Sequence, residues 1–259
     1  MAYLQFRRES EAGGVGRFYG LVRRHWEHLL EQVPADCALC RGKSRGLQLC
    51  DACRLDVTRS MAAPTLRCAV CALALEQPGC PDCAARRPAF DRVIAAFDYA
   101  APGDLLIQHF KARHRFSHAR MFSDLVAGAV LAAKPALPEH TIMVPVPASR
   151  ASLRRRGFNP AAEIARGLAP RLSFALRPEL LVRAREGVRQ TGLSRAGRIA
   201  GVERLYECPY RVEDAVIAVV DDVLTTGSTL DSIAREFKEA GAASVIGLVV
   251  ARTPYSLQV

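Results

Sequence analysis

The chain has 259 residues, half of them apolar, enough for one large core and a small added module. A net charge of +10 favours polyanionic partners. No apolar run approaches the ~20 residues of a membrane span, and the polar first ten residues lack the core of a secretory leader, so the expectation is a cytoplasmic protein without membrane insertion.

Residues 1–36 read as an N-terminal tail and helix. Phe18, Leu21, Val22, Trp26, Leu29, Leu30 and Val33 recur at helical spacing, and Pro34 ends the pattern. Residues 37–86 read as a double zinc ribbon. Eight of the nine cysteines fall there in four C-x-x-C pairs: Cys37/Cys40, Cys50/Cys53, Cys68/Cys71 and Cys80/Cys83. In a reducing compartment these stay thiols, and two such knuckles complete one tetrahedral four-cysteine site. Nine residues separate the first two pairs, 14 the middle two and eight the last two. Two consecutive ribbons with two structural zinc ions are the simplest assignment, while the spacing leaves an interleaved pairing open. So small a module depends on its metal to fold. Cys208 stands alone and reads as a packing or surface residue.

Residues 87–259 read as an α/β domain with a parallel sheet flanked by helices. Residues 90–100 suggest a strand or hairpin, and 104–112 an amphipathic helix presenting Leu105, Leu106 and Phe110. A basic stretch from Lys111 to Arg120 leads into a second helix over 121–133. Residues 142–146 form a buried strand, and Pro145 and Pro147 impose a rigid, non-helical turn at its carboxyl end. Residues 149–159 read as a loop, followed by a helix from Pro160 to Leu168. Between 141 and 205 there are thirteen arginines against four acids. The arginines suit a pyrophosphate clamp, or, with Phe110, Phe116, Phe158 and His114, a track for single-stranded nucleic acid. A solvated basic surface is the plain alternative. Arg154, Arg155 and Arg156 are the first candidates for an anion or nucleic-acid site, with Lys111 second.

The most informative stretch lies over 215–230. The apolar run 216–220 is followed by Asp221 and Asp222, then Val223 and Leu224, then Thr225, Thr226, Gly227, Ser228 and Thr229. A helix then carries Leu230, Ile233, Ala234 and Phe237 on one face and stops at Gly241. Free N–H groups at a helix start, a glycine that lets the backbone approach, and four hydroxyls suit a phosphate. The two carboxylates suit vicinal ribose hydroxyls, or a Mg²⁺ bridging ribose and pyrophosphate. An ordinary turn and capped helix uses the same residue types, but not in this order. Residues 244–251 supply the last core strand.

The run VVDDVLTTGST at 219–229 resembles the signature with which type I phosphoribosyltransferases bind phosphoribosyl pyrophosphate (PRPP). That resemblance implies that Asp221 and Asp222 hold the ribose, that residues 225–229 cradle the 5-phosphate, and that Mg²⁺ accompanies the ligand. Some purine-using members carry Asp where Thr225 stands, so a hypoxanthine/guanine activity is not implied. The whole order of motifs resembles the ComF/GntX family. It comprises the four cysteine pairs, Phe110-Lys111, VPVPASRASLRRRGFN at 144–159, VRARE and RQTGLSRAGR within 182–198, and AGAASVIGLVVAR at 240–252. Pro160 stands where that family usually has Gln, and Arg198 leads into IAGVERLYE where an Asn is common. The resemblance implies a PRPP-binding protein of DNA uptake and natural transformation. Its implied partners are single-stranded DNA, met through Arg-rich loops, and DNA-uptake or helicase proteins. An active phosphoribosyltransferase with a small, unidentified acceptor stays open, and no catalytic residue set is evident.

Overall fold

The apolar, β-branched runs of the sequence become parallel strands of one sheet. The computed structural model describes residues 33–45, 49–62, 65–112, 117–184 and 205–255. The expected N-terminal helix with Trp26, the residues His114 and Phe116, and Arg185, Arg189, Arg195, Arg198 and Arg204 lie outside those residues. The chain falls into two units, Met1–Cys50 and Asp51–Val259. In the first, β1 (Pro34–Asp36) and β2 (Lys43–Arg45) pair antiparallel around the first cysteine knuckle.

The second unit runs α1 (Asp51–Ala62), the short α2 (Pro81–Ala85), β3 (Arg92–Asp98), α3 (Gly103–Ala112), α4 (Ser117–Ala132) and β4 (Ile142–Pro145). It continues through α5 (Arg150–Arg156), α6 (Pro160–Leu172), β5 (Ala175–Leu176), a 3-10 turn (Pro178–Leu180), β6 (Val182–Arg183), β7 (Tyr206–Glu207), β8 (Val216–Leu224), α7 (Ser228–Glu239) and β9 (Ser244–Arg252). The sheet order is β3-β9-β8-β4-β5, parallel throughout. This is the expected class, an α/β sheet flanked by helices and preceded by a cysteine-rich module. Among the described residues, no helix is long and apolar enough to cross a membrane.

One open alternative is resolved and three local expectations are corrected. Residues 92–98 form one edge strand parallel to β9, not a hairpin. Residues 150–156, read as loop, are helix α5. Ser149 caps it, its Oγ accepting from the Ser152 N–H at 3.1 Å, and Gly157 closes it in the left-handed region at φ 75° with its N–H on Leu153 O at 2.7 Å. Helix α6 runs past Pro170, which sits in its last turn, to Leu172. On α3, Leu106, Ile107 and Phe110 are buried and Leu105 is exposed.

The topology fixes where a ligand can sit. From β4 the chain moves outward to β5; from β8 it moves the other way to β9. Right-handed crossovers therefore place α6 and α7 on opposite faces, and a crevice opens between the carboxyl ends of β4 and β8. Leu230, Ile233, Ala234 and Phe237 of α7 bury against Ile217, Val219, Val245 and Val249, on the order of 2 kcal/mol for each large side chain. Gly247 permits this contact, because a Cβ there would stand 2.6 Å from Leu230 Cδ2. Ser123 joins α4 to α6, donating to Ile164 O at 2.9 Å.

Candidate functional site

Strand β8 carries its ladder through both carboxylates. Asp221 pairs in register with Val249 and Leu224 with Arg252, whereas β4 stops at Pro145 opposite Val220. The two aspartates thus lie in the overhang beyond β4, in the crevice. Strand alternation sends them to opposite faces. Asp221 shares the face of Ile217 and Val219. Asp222 lies on the other face and forms an ion pair with Lys111 Nζ at 2.9 Å, from the last turn of α3. Lys111, the second candidate for the anion site, is thus paired with the diacid. Burial pushes Asp221 up to about pKa 7, and the Asp222 charge adds to this; the Asp222 N–H, 2.8 Å from Asp221 Oδ1, and Lys111 pull the other way. Tyr206 on β7 feels the same site: burial raises its pKa and Asp221 adds to the rise, while the Arg183 guanidinium opposes it. That guanidinium lies 5.4 Å from the Tyr206 ring centroid and donates to its hydroxyl at 3.1 Å.

The loop of Thr225, Thr226, Gly227, Ser228 and Thr229 follows directly. Gly227 caps α7 in the left-handed region at φ 78°, where glycine carries no Cβ penalty, and the neighbouring Thr226 Oγ1 accepts from the Ser228 N–H at 3.4 Å. Thr226 Oγ1 bonds Ser228 Oγ at 3.1 Å. The first N–H groups of a 12-residue helix and a cluster of hydroxyls therefore face one turn beyond the diacid.

Sequence reading missed Arg252, the last residue of β9. It is 1% exposed. Its Nη1 donates to the carbonyls of Thr225, of Leu224 at 3.3 Å and of Thr253 at 2.8 Å. Its Nε donates to Cys71 O at 3.0 Å, and its Nη2 reaches Asp82 Oδ2 at 2.7 Å. The signal was available: a charge ending an otherwise unbroken apolar strand is seldom buried without partners.

The eight paired cysteines gather into two consecutive groups that could each hold a metal ion: Cys37, Cys40, Cys50 and Cys53, and Cys68, Cys71, Cys80 and Cys83. Within each, all ligand atoms lie within 4.8 Å of one another. Sulfur separations of 3.8 Å for Cys40 and Cys50, 3.7 Å for Cys68 and Cys83, and 3.5 Å for Cys71 and Cys80 are far beyond a disulfide. They match the ~3.8 Å edge of a tetrahedron with 2.3 Å metal–sulfur bonds. Burial opposes ionisation of Cys37, but N–H groups of Cys40, Cys50 and Leu39 donate to its sulfur and hold it near pKa 6. In the second group, burial raises Cys71 to about 11 against the pull of Arg252, and burial with the neighbouring Cys71 raises Cys83 further. Four crowded thiolates repel, and a divalent ion removes that repulsion.

The arginine-rich region divides by role. Arg166 pairs with Glu163, Arg171 with Asp124 and Arg177 with Glu179, while Arg183 stacks on Tyr206. Arg154 and Arg155 are exposed and Arg156 is half-buried, all in the last turn of α5. Phe110 and Phe158 are no platform for bases. Both are buried, their ring centroids 5.2 Å apart, and Phe122 lies 5.3 Å from Phe110. A cavity of about 440 Å³ borders the loop through Thr226, Gly227, Ser228 and Thr229, with Phe90, Tyr206, Arg86 and Arg235 among its walls.

No protein-family model matches the chain. It is 30% identical over 227 residues to the DNA utilization protein YhgH of Escherichia coli K12, covering 85% of this chain and 98% of that protein. It is 30% identical over 177 residues to competence protein F of Haemophilus influenzae, covering 64% of this chain and 75% of that one. Among solved structures it is similar to an allosteric regulatory enzyme of purine biosynthesis (24% identity, TM-score 0.36), over 51% of this chain and 26% of that one. It is also similar to hypoxanthine phosphoribosyl transferase of Trypanosoma cruzi (16%, TM-score 0.31), over 53% of this chain and 64% of that one. The curated matches span nearly the full length of YhgH and meet the cysteine-rich module and the α/β unit alike: the chain belongs to the ComF/GntX family, that of competence protein F and the DNA utilization protein YhgH.

Proposed function

We propose that the protein binds PRPP with Mg²⁺ in the crevice at the carboxyl end of β8 and serves DNA uptake, meeting single-stranded DNA through its arginine-rich surface. The observation that carries the PRPP reading is the placement of two carboxylates in the overhang beyond β4, one turn before a glycine-opened helix N-terminus. Asp221 and Asp222 take the ribose hydroxyls or the Mg²⁺, whose preference is for carboxylate oxygen. Residues 225–229 take the 5-phosphate through backbone N–H groups and hydroxyls. Lys111 holds Asp222 in place and adds positive charge where pyrophosphate would lie. The two four-cysteine groups hold zinc, which suits all-sulfur tetrahedral sites. The DNA role rests on the names of the relatives and on the exposed arginines of α5.

Binding without turnover is favoured over phosphoribosyl transfer. The 440 Å³ cavity reaches the loop, but neither Asp221 nor Asp222 lines it, so it is not placed to bring an acceptor to a ribose held by those carboxylates. The test is calorimetry of PRPP·Mg on the zinc-loaded protein, followed by a PRPP-consumption assay with and without single-stranded DNA. Micromolar binding lost in Asp222→Ala, with PRPP left intact, is the expected outcome. No binding, or binding unchanged in Asp222→Ala, rejects the PRPP site; PRPP consumption makes the protein an enzyme.

A further inference from the structure

We propose that Arg252 and Asp82 couple the metal state of the second cysteine group to the phosphate loop, so that zinc there and PRPP at β8 strengthen each other's binding. The proposal rests on the PRPP reading above.

The contacts of the Arg252 guanidinium reach both sides of this link. Toward the loop, it donates to the carbonyls of Leu224 and Thr225, the last residue of the diacid's strand and the first of the loop that turns at Gly227. Toward the cysteines, it donates to Cys71 O at 3.0 Å and lies 3.8 Å from Cys71 Sγ. It also makes an ion pair with Asp82 at 2.7 Å. Asp82 stands between Cys80 and Cys83 in the short helix α2, so its position is set by the second knuckle. Arg252 itself is fixed by strand register between Asp98 on β3 and Leu224 on β8. A buried guanidinium with one set of acceptors on a metal knuckle and another on a ligand loop cannot satisfy both when either side shifts. An unsatisfied buried charge is costly, so each side holds the other in register. Loss of the ion frees the knuckle, releases Asp82 and Cys71 O, and leaves Arg252 free to abandon Thr225 O. The carbonyls of Leu224 and Thr225 fix the peptide planes that lead into the loop, so their release loosens the phosphate cradle.

Thermodynamic reciprocity makes this testable from the metal side. If zinc at the second group tightens PRPP binding by some factor, PRPP must tighten that zinc by the same factor. The experiment uses the full-length, zinc-loaded protein. A zinc-selective chromophoric chelator competes for the metal with and without PRPP·Mg, and calorimetry gives PRPP affinity for wild type, Asp82→Asn and Arg252→Lys. Asp82→Asn keeps all eight thiolates and the entire loop. In wild type, PRPP should protect one of the two zinc ions. In Asp82→Asn, PRPP binding should weaken about tenfold, the scale of one charge-assisted hydrogen bond, and the protection should vanish. Arg252→Lys keeps the charge but loses the planar fork and should behave likewise. A purely structural role would lower melting temperature without moving PRPP's protection of zinc. If wild type binds PRPP yet both zinc ions are extracted equally with and without it, or Asp82→Asn binds PRPP like wild type, the coupling is wrong. If wild type binds no PRPP at all, that first titration rejects the site reading and the coupling together.

Discussion

Asp221 carries its charge where the fold disfavours it. Burial and the neighbouring Asp222 raise its pKa to about 7, against 3.8 for an ordinary aspartate. A carboxyl group raised in the folded state binds its proton more tightly there than in the unfolded chain, so folding favours the neutral form. The resulting penalty is absent well below pH 3.8, grows as pH rises through the interval, and is complete above pH 7. Asp221→Asn, which removes the charge and keeps the shape, should raise the melting temperature at pH 8 by a few degrees. The gain should shrink steadily as pH falls toward 4, and PRPP binding should be lost in the same variant. Calorimetric melts of both proteins at pH 4.5, 6 and 8 check this. Equal melting temperatures at pH 8 would show that the buried charge is already compensated. Such a stability cost at one residue is what a binding site built for a cation or hydroxyls produces.

Elements were legible where one physical signal dominated and misread where two competed. The strand before the diacid, the hydroxyl loop and the apolar stripe of α7 stood plainly in the sequence. The aspartates were placed after the strand because carboxylates are poor strand formers; in the fold, register with Val249 and Arg252 on β9 holds them inside it. Helix α5 was hidden by Pro145 and Pro147 just ahead of it, although Ser149 and Gly157 are a ready pair of caps. Arg252 was hidden because its partners, Cys71 and Asp82, lie 181 and 170 residues away in sequence. Phe158 looked like a stacking ring because its burial against Phe110 depends on the end of α5 meeting α3. With both rings in the core, nucleic-acid binding falls to electrostatics. Arg154 and Arg155, exposed in the last turn of α5, should then act as phosphate contacts without base readout. Arg154→Ala and Arg155→Ala should each weaken affinity for single-stranded DNA about equally across sequences and flatten the slope of log K against log[salt] by about one unit. Fluorescence titrations between ~50 and ~300 mM salt measure the slope. An unchanged slope in both variants would remove α5 from the interface.

At the scale of the whole molecule the two cysteine groups differ in what they hold together. Cys71, Ala72 and Leu73, at the second group's first knuckle, belong to the main core with Phe90, Leu230 and Val219, and Cys68, Cys80 and Cys83 pack against it. Arg67, immediately before that knuckle, donates to both carboxylate oxygens of Asp98 at the end of β3 and to Ser60 O near the end of α1. Cys37 and Cys40 of the first group lie between the strands of the β1–β2 ribbon, which are three residues each, and Cys40 is exposed. A metal ion at the second group would thus sit in the core of the α/β unit, and one at the first would serve a small ribbon with little apolar area of its own. Elemental analysis of the wild-type protein should give about two zinc ions per chain. Cys40→Ser should lose one ion while the main calorimetric transition stays within a few degrees. Cys71→Ser should also lose one ion, and its main transition should fall by roughly 10 °C, the size expected when about 3 kcal/mol leaves a domain of this length. A single ion in wild type would overturn the two-site assignment. Equal shifts in the two variants would show that the metal groups do not divide the stability in this way.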